Sequence, residues 1–253
     1  MIVIKKSWFT LIFGSKKEAV TPESCNQYTA ASLKTNPAFS QLLKQQECTT
    51  IVQLHQIHSN IGVIITTDAQ AQALAPHSQE GDFMITSQPQ TALSLLTADC
   101  LPIIIAHEQT KTIAAIHAGW KGISKGIIPK AITILQKTLK VCPSSMEVFI
   151  GPSARSCCYE IQNDFMPQWK KHQTRAAQYV IQNQNRQFFD LVGYVLEECK
   201  DKGISEKHID ITNAHCTLCN STLYCSARAH KTTQRNVSLV IKNQIPYPDN
   251  YHF

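Results

Sequence analysis

No stretch of the 253-residue chain approaches the ~20 consecutive apolar residues that a membrane-spanning helix requires. The apolar run from Trp8 to Phe13 is too short for the core of a secretory signal, and no small-residue cleavage site follows it. The expected location is therefore the cytoplasm. Basic residues never cluster beyond the pairs Lys5-Lys6, Lys16-Lys17 and Lys170-Lys171, although the net charge is +6. A nucleic-acid groove concentrates Lys and Arg in a stripe, so nucleic acid is not an expected partner; small anionic substrates suit the charge as well. Glycine and proline number only 9 and 11, which excludes a collagen-like or low-complexity chain. No repeat or linker divides the sequence, and residues 1–253 are expected to form a single domain.

What is present reads as a globular chain: 43% hydrophobic and 17% charged residues, and enough length to bury an ample core. In a reducing compartment the ten cysteines are expected to be free thiols or metal ligands, and most of them small buried hydrophobes. Residues 2 to 13 read as one or two strands. Residues 36 to 46 read as a helix, with Pro37 in the first turn and a stripe of Phe39, Leu42 and Leu43. Strand-like runs follow in close order: "TIVQLHQ", "GVIITT", "DFMIT", "TALSLLT", "LPIIIAH" and "KTIAAIH". A helix is expected from an N-cap at Ser124 to about Lys140, then a strand at "MEVFIG". Asp190 should cap a helix that Gly203 stops, and "RNVSLVIKN" should be a final strand. These elements predict an α/β or α+β fold with a mixed sheet.

The stretch "LTADCLPIIIAHEQTKTIAAIHAGWKG" (96–122) combines a hairpin with two reactive side chains. With strands at 101–107 and 110–117 turning about Glu108-Gln109, paired positions sum to 217, which sets Cys100 opposite His117. Their Cβ atoms would lie roughly 4.5–5.5 Å apart. A one-residue slip would move them to opposite faces. Without chemistry, the same pattern is a core hairpin holding a buried Cys and a hydrogen-bonded His. In "TIVQLHQIHSN", read as a strand, His55 and His58 face opposite sides. His58, beside the polar Ser59-Asn60, is the candidate site residue and His55 the structural one. Two imidazoles and one thiolate suit Zn, with Cu as the rival. Three protein ligands leave a fourth position open, the arrangement of catalytic zinc. No further Cys/His cluster stands out in the sequence.

The motifs "QIHSN", "GDFMIT", "TADCLPI", "HAGWKG", "IGPSARSCCYEI" and "HCTLCN" span about residues 53 to 240. In order and spacing they resemble the YfiH-type family, labelled polyphenol oxidase or laccase-domain in older usage and purine nucleoside phosphorylase more recently. The resemblance implies a layered α/β/β/α sandwich, similar to a bacterial toxin deamidase with a Cys-His site. It implies zinc held by His58, Cys100 and His117, and phosphorolysis of adenosine, inosine and methylthioadenosine with adenosine deamination besides. Purine nucleosides and phosphate would then be the partners. In deamination, a water activated at such a metal attacks C6 of the purine. Proton transfer needs a carboxylate, for which Asp82, Asp99 and Glu160 are the motif-borne candidates. Asp82 could equally fix only a turn, and Glu160 only pair with an arginine.

Two segments depart from the family pattern. The family's N-terminal "NL…VGD…NR" run is barely preserved in "CNQYTAASLKTNPAFSQLL", and its "SYRRD…TGR" appears as "SARAHKTTQR". Arg228 and Arg235 match, whereas Ala227, Ala229, His230 and Gln234 replace the other motif residues. Phosphate binding in a phosphorylase favours arginine, so Arg228, Arg235 and Lys121 are its candidates. Three other functions fit parts of the pattern. A metal-free cysteine hydrolase would use Cys100 as nucleophile and His117 as base. A copper oxidase of phenols would need several copper ligands. A peptidoglycan-editing or binding factor would turn over little nucleoside.

Overall fold

Side chains in the central strands alternate between two apolar layers, and that alternation builds the molecule. The computed structural model describes residues 1–21, 30–74 and 79–244. One sheet has five strands in the order β1 (Ile2–Lys5), β2 (Phe9–Phe13), β14 (Asn236–Lys242), β6 (Thr91–Thr97) and β3 (Thr50–Val52), antiparallel except for β3 beside β6. The other has six: β13 (Ile209–Asp210), β9 (Met146–Ile150), β7 (Leu101–His107), β8 (Thr112–Ala118), β5 (Phe83–Thr86) and β4 (Gly62–Ile65). Its outer pairs β13–β9 and β4–β5 are parallel, its inner pairs antiparallel.

Phe9, Leu11 and Leu93 of the first sheet meet Ile104, Ala106 and Ala115 of the second in one buried layer. On the far side of the five-stranded sheet, Ile12, Leu239 and Ile241 pack on Phe39 and Leu43 of α2 (Pro37–Gln45), which follows α1 (Ala30–Thr35). On the far side of the six-stranded sheet, Ile103, Ala114 and Ile116 pack on α5 (Ile127–Leu139) and α7 (Leu191–Asp201). The result is an α/β/β/α sandwich. Both sheets are covered on both faces, so their strands read as continuous apolar runs rather than as clean alternation. A small antiparallel sheet of β10 (Glu160–Ile161), β12 (Arg186–Phe189) and β11 (Val180–Asn183) was not anticipated. The short helices α3 (Asp68–Leu74), α6 (Gln173–Ala177) and α8 (Ala227–His230) were also not anticipated.

Asn36 caps α2 and Asp190 caps α7 by accepting backbone N–H bonds, and Gly203, at φ +89°, ends the latter. Three expectations need correction. The helix expected to start at Ser124 is two helices, α4 (Trp120–Ser124) and α5, because Gly126 between them sits at φ +77°, a conformation that suits glycine. "TIVQLHQ" is a strand only as far as Val52. Beyond it, the backbone of His55 pairs with Gln79 and Gly81, leaving His55 exposed beside Glu80. Finally, only Cys199, Cys216 and Cys225 of the nine described cysteines are buried; the rest reach the surface in part or fully.

Candidate metal centre and its cleft

The start of β5, the start of β7 and the end of β8 lie side by side at one edge of the six-stranded sheet, and the candidate residues sit on the turns just beyond them. The hairpin turns through the four residues 108–111, so Pro102, not Cys100, pairs with His117. Paired positions sum to 219, two more than expected. A shift of two keeps side chains on the same face, so Cys100 still meets His117 diagonally. His58 reaches them from the bend before β4 with φ +57°, outside any strand. Cys100 Sγ lies 3.6 Å from His58 Nε2, and the rings of His58 and His117 cross edge to face at 4.8 Å. One ligand atom from each of His58, Cys100 and His117 falls within 4.8 Å of the others.

Asp82 organises this cluster. Its buried carboxylate accepts a 2.8 Å bond from His117 Nδ1, the backbone N–H of His58, and both the N–H and hydroxyl of Ser59. Burial alone would raise its pKa, but the bonds from His117 and Ser59 hold it down to about 2. The His117 ring is thereby turned so that Nε2 points at the cluster. Against the cost of burial, the Cys100 thiolate and the Asp82 carboxylate push His117 up, and His117 and His58 together pull the Cys100 thiol down. Gly119 keeps the space open: a Cβ there would stand 2.7 Å from His58 Cδ2 and 3.0 Å from Cys100 Sγ. These donors fit a soft or borderline divalent ion. Nitrogen and sulfur converge, the carboxylate holds one imidazole from behind, and the geometry leaves room on the open side.

A cleft of about 290 Å³ opens over the cluster, walled by Trp120 and Tyr159 and edged by Asp99, Lys121 and Arg228. A larger depression of about 820 Å³ lies at the far end of the hairpin, beside His107 and His208, away from the three candidate ligands. Asp99, at φ +88°, accepts from the Thr217 hydroxyl at 2.7 Å and from the Arg228 backbone N–H at 2.9 Å. The Arg228 guanidinium lies 4.2 Å over the Tyr159 ring and donates to the Glu160 carbonyl. The Glu160 carboxylate itself is bonded to Arg186 rather than turned to the cluster. Arg235 donates to the carbonyls of Thr232 and Gln234 and does not line the cleft. Gly119, Trp120, Tyr159 and Thr217 were not singled out as site residues from sequence, and Ser59 was noted only as a polar neighbour of His58, although all five lie within the quoted motifs. Residues 22–29, including "CNQY" of the divergent N-terminal segment, lie outside the described residues.

The family model described as multi-copper polyphenol oxidoreductase laccase matches residues 29–243. The chain belongs to this family. Laccase-domain relatives carry another name: a purine nucleoside phosphorylase of Clostridium acetobutylicum is 28% identical over 191 residues, 75% of each chain. One of Rickettsia conorii is 31% identical over 182 residues, 70% of each chain. The YfiH protein of Bacillus licheniformis superposes with a TM-score of 0.75 at 20% identity, covering 92% of both chains. YlmD from Geobacillus stearothermophilus gives 0.75 at 21%, covering 93% of this chain and 92% of its own. These two solved structures share the layered fold. Among the described residues, no helix is long and apolar enough to cross a membrane.

Proposed function

We propose that this laccase-domain chain, acting as one domain, is a zinc-dependent purine nucleoside phosphorylase. Its substrates are adenosine, inosine and S-methyl-5′-thioadenosine, and it also deaminates adenosine. The relatives' name supports the reaction class. The observation that carries the reading is the convergence of His58, Cys100 and His117 beneath a cleft with aromatic walls and a cationic edge. Bound there, zinc would supply Lewis acidity and lower the pKa of a coordinated water.

The chain's own residues do the rest. Trp120 and Tyr159 offer flat apolar faces of the kind that hold a purine ring. Arg228 and Lys121 face the same cleft with two positive charges, suited to a phosphate dianion. In phosphorolysis a phosphate oxygen bonds to C1′ as the C1′–N9 bond breaks, and the leaving purine takes a proton. In deamination a water oxygen bonds to C6 and ammonia leaves. Of the three carboxylates, Asp99 alone lines the cleft, and each of its oxygens keeps a lone pair beyond the bonds from Thr217 and Arg228. We assign proton transfer to Asp99, positioning of His117 to Asp82, and no chemical step to Glu160. The deciding assay incubates the protein with adenosine, with and without phosphate, and separates adenine from inosine. Adenine formed only with phosphate supports phosphorolysis; neither product sinks the proposal.

The depressed Cys100 thiol beside two imidazoles also suits a cysteine hydrolase. Alkylation separates the two. A metal-held Cys100 should resist iodoacetamide until a chelator is added, whereas a free nucleophile should react at once. The multi-copper chemistry in the family's description needs several histidine-rich copper sites, and only one ligand cluster among the described residues contains histidine.

A further inference from the structure

In the sequence no Cys/His cluster stands out beyond His58, Cys100 and His117, but the fold assembles a second one. Cys157 and Cys158 lie on the loop between β9 and β10, and Cys216 and Cys219 form a C-x-x-C turn after β13. The two pairs are 58 positions apart at their nearest ends, and the fold brings all four sulfurs within 4.8 Å of one another. Cys219 Sγ is 3.2 Å from Cys158 Sγ and 3.5 Å from Cys157 Sγ, too far for a disulfide bond. Four sulfurs bound tetrahedrally at ~2.3 Å from one ion would stand ~3.8 Å apart, within the spread observed. The backbone N–H groups of Cys219, Arg155 and Leu218 point at the buried Cys216 sulfur, the support a ligating thiolate needs. No established role of the cleft uses these four residues.

We propose that Cys157, Cys158, Cys216 and Cys219 form a second, tetrathiolate site that holds one structural zinc ion. Four protein ligands close the coordination sphere, so this site stabilises rather than catalyses. It staples two loops that otherwise meet through Ser153 N–H to the His215 carbonyl, Thr217 N–H to the Ser153 carbonyl and the Arg155 guanidinium to the Ala214 carbonyl. The first loop leads into the cleft wall and the second braces a residue that lines it. Tyr159 follows Cys158 directly, and Thr217, between the two cysteines of the turn, holds Asp99. The staple thus keeps Tyr159 and Asp99 in place.

The test counts metal on the full chain purified without chelator. Wild type should carry two zinc ions, Cys216→Ser/Cys219→Ser one, and His58→Ala one. Because the double variant risks misfolding, the His58→Ala protein is also loaded with cobalt. It should show the intense sulfur-to-cobalt charge-transfer and red d–d bands of a tetrathiolate site. These readouts stand whatever the protein does to nucleosides. If wild type carries a single zinc that Cys216→Ser/Cys219→Ser retains, the proposal fails. It fails equally if cobalt-loaded His58→Ala lacks the tetrathiolate bands, or if intact mass shows these cysteines paired as a disulfide without metal.

Discussion

Asp82 Oδ1 accepts a hydrogen bond from His117 Nδ1 at 2.8 Å, with both side chains buried. The same carboxylate accepts the backbone N–H of His58, so one residue aims both imidazoles of the cluster. Asp82→Asn should weaken zinc affinity on the order of 10–100-fold, the usual cost of removing a ligand's orienting partner. Competition with a chromophoric chelator would measure it, and an affinity equal to wild type would refute the positioning role.

Gly119 is required for space rather than for its backbone angles, since its φ of −79° suits any residue. Gly119→Ala would push a methyl group against His58 and Cys100. The expected outcome is a folded protein with wild-type circular dichroism that retains much less zinc at the histidine-containing centre. A fully loaded variant would show that the turn can move.

Much of this was legible in the sequence, and the failures have physical causes. The hairpin was found from its two apolar runs, but its register was placed two residues off because the turn is four residues long. It closes through bonds among His107, Thr110 and Thr112, with Lys111 at φ +51°. Parity survived, so Cys100 still shares a face with His117, diagonally rather than directly across from it. The break at Gly126 was hidden because apolar periodicity continues across it. The pairs Cys157-Cys158 and Cys216-Cys219 are distant in sequence, and the parallel contact of Ser153 with Cys216 and the Arg155–Ala214 bond bring them together. Lone C-C and C-x-x-C pairs give no sign of that meeting.

Glu198 makes stability depend on pH. It lies buried on α7, and burial pushes its carboxyl up to about 8 from an ordinary 4.5, with Arg175 only partly offsetting this. The raised folded-state value means the native chain keeps a proton that the unfolded chain releases above pH 4.5. Its contribution is thus fully present below about 4.5 and is lost as pH rises toward 8, at up to ~1.4 kcal/mol per pH unit. Glu198→Gln should flatten that decline. Melting temperatures of the two proteins between pH 5 and 8 should diverge as pH rises; parallel curves would show that Glu198 titrates normally.

The cationic edge of the cleft separates the two proposed reactions. Phosphorolysis needs an anion held near C1′, and deamination does not. Arg228 is fixed from two sides: its backbone N–H bonds to Asp99, and its guanidinium spans the Tyr159 ring and the Glu160 carbonyl. Lys121 lies across the opening on α4, its ammonium 5.6 Å from the Trp120 ring. A charged hydrogen bond to phosphate contributes ~1.5–3 kcal/mol. Replacing its donor with Met should therefore raise the KM for phosphate roughly 10- to 100-fold while adenosine deamination stays close to wild type. Arg228→Met also strips a contact from Tyr159, so Arg228→Lys is the control; it keeps the charge and should recover part of the phosphate affinity. Initial rates of adenine and inosine formation across a phosphate titration give both activities from one reaction. Equal losses in the two products, for Arg228→Met and Lys121→Met alike, would place these residues in the purine pocket or the fold and the phosphate site elsewhere.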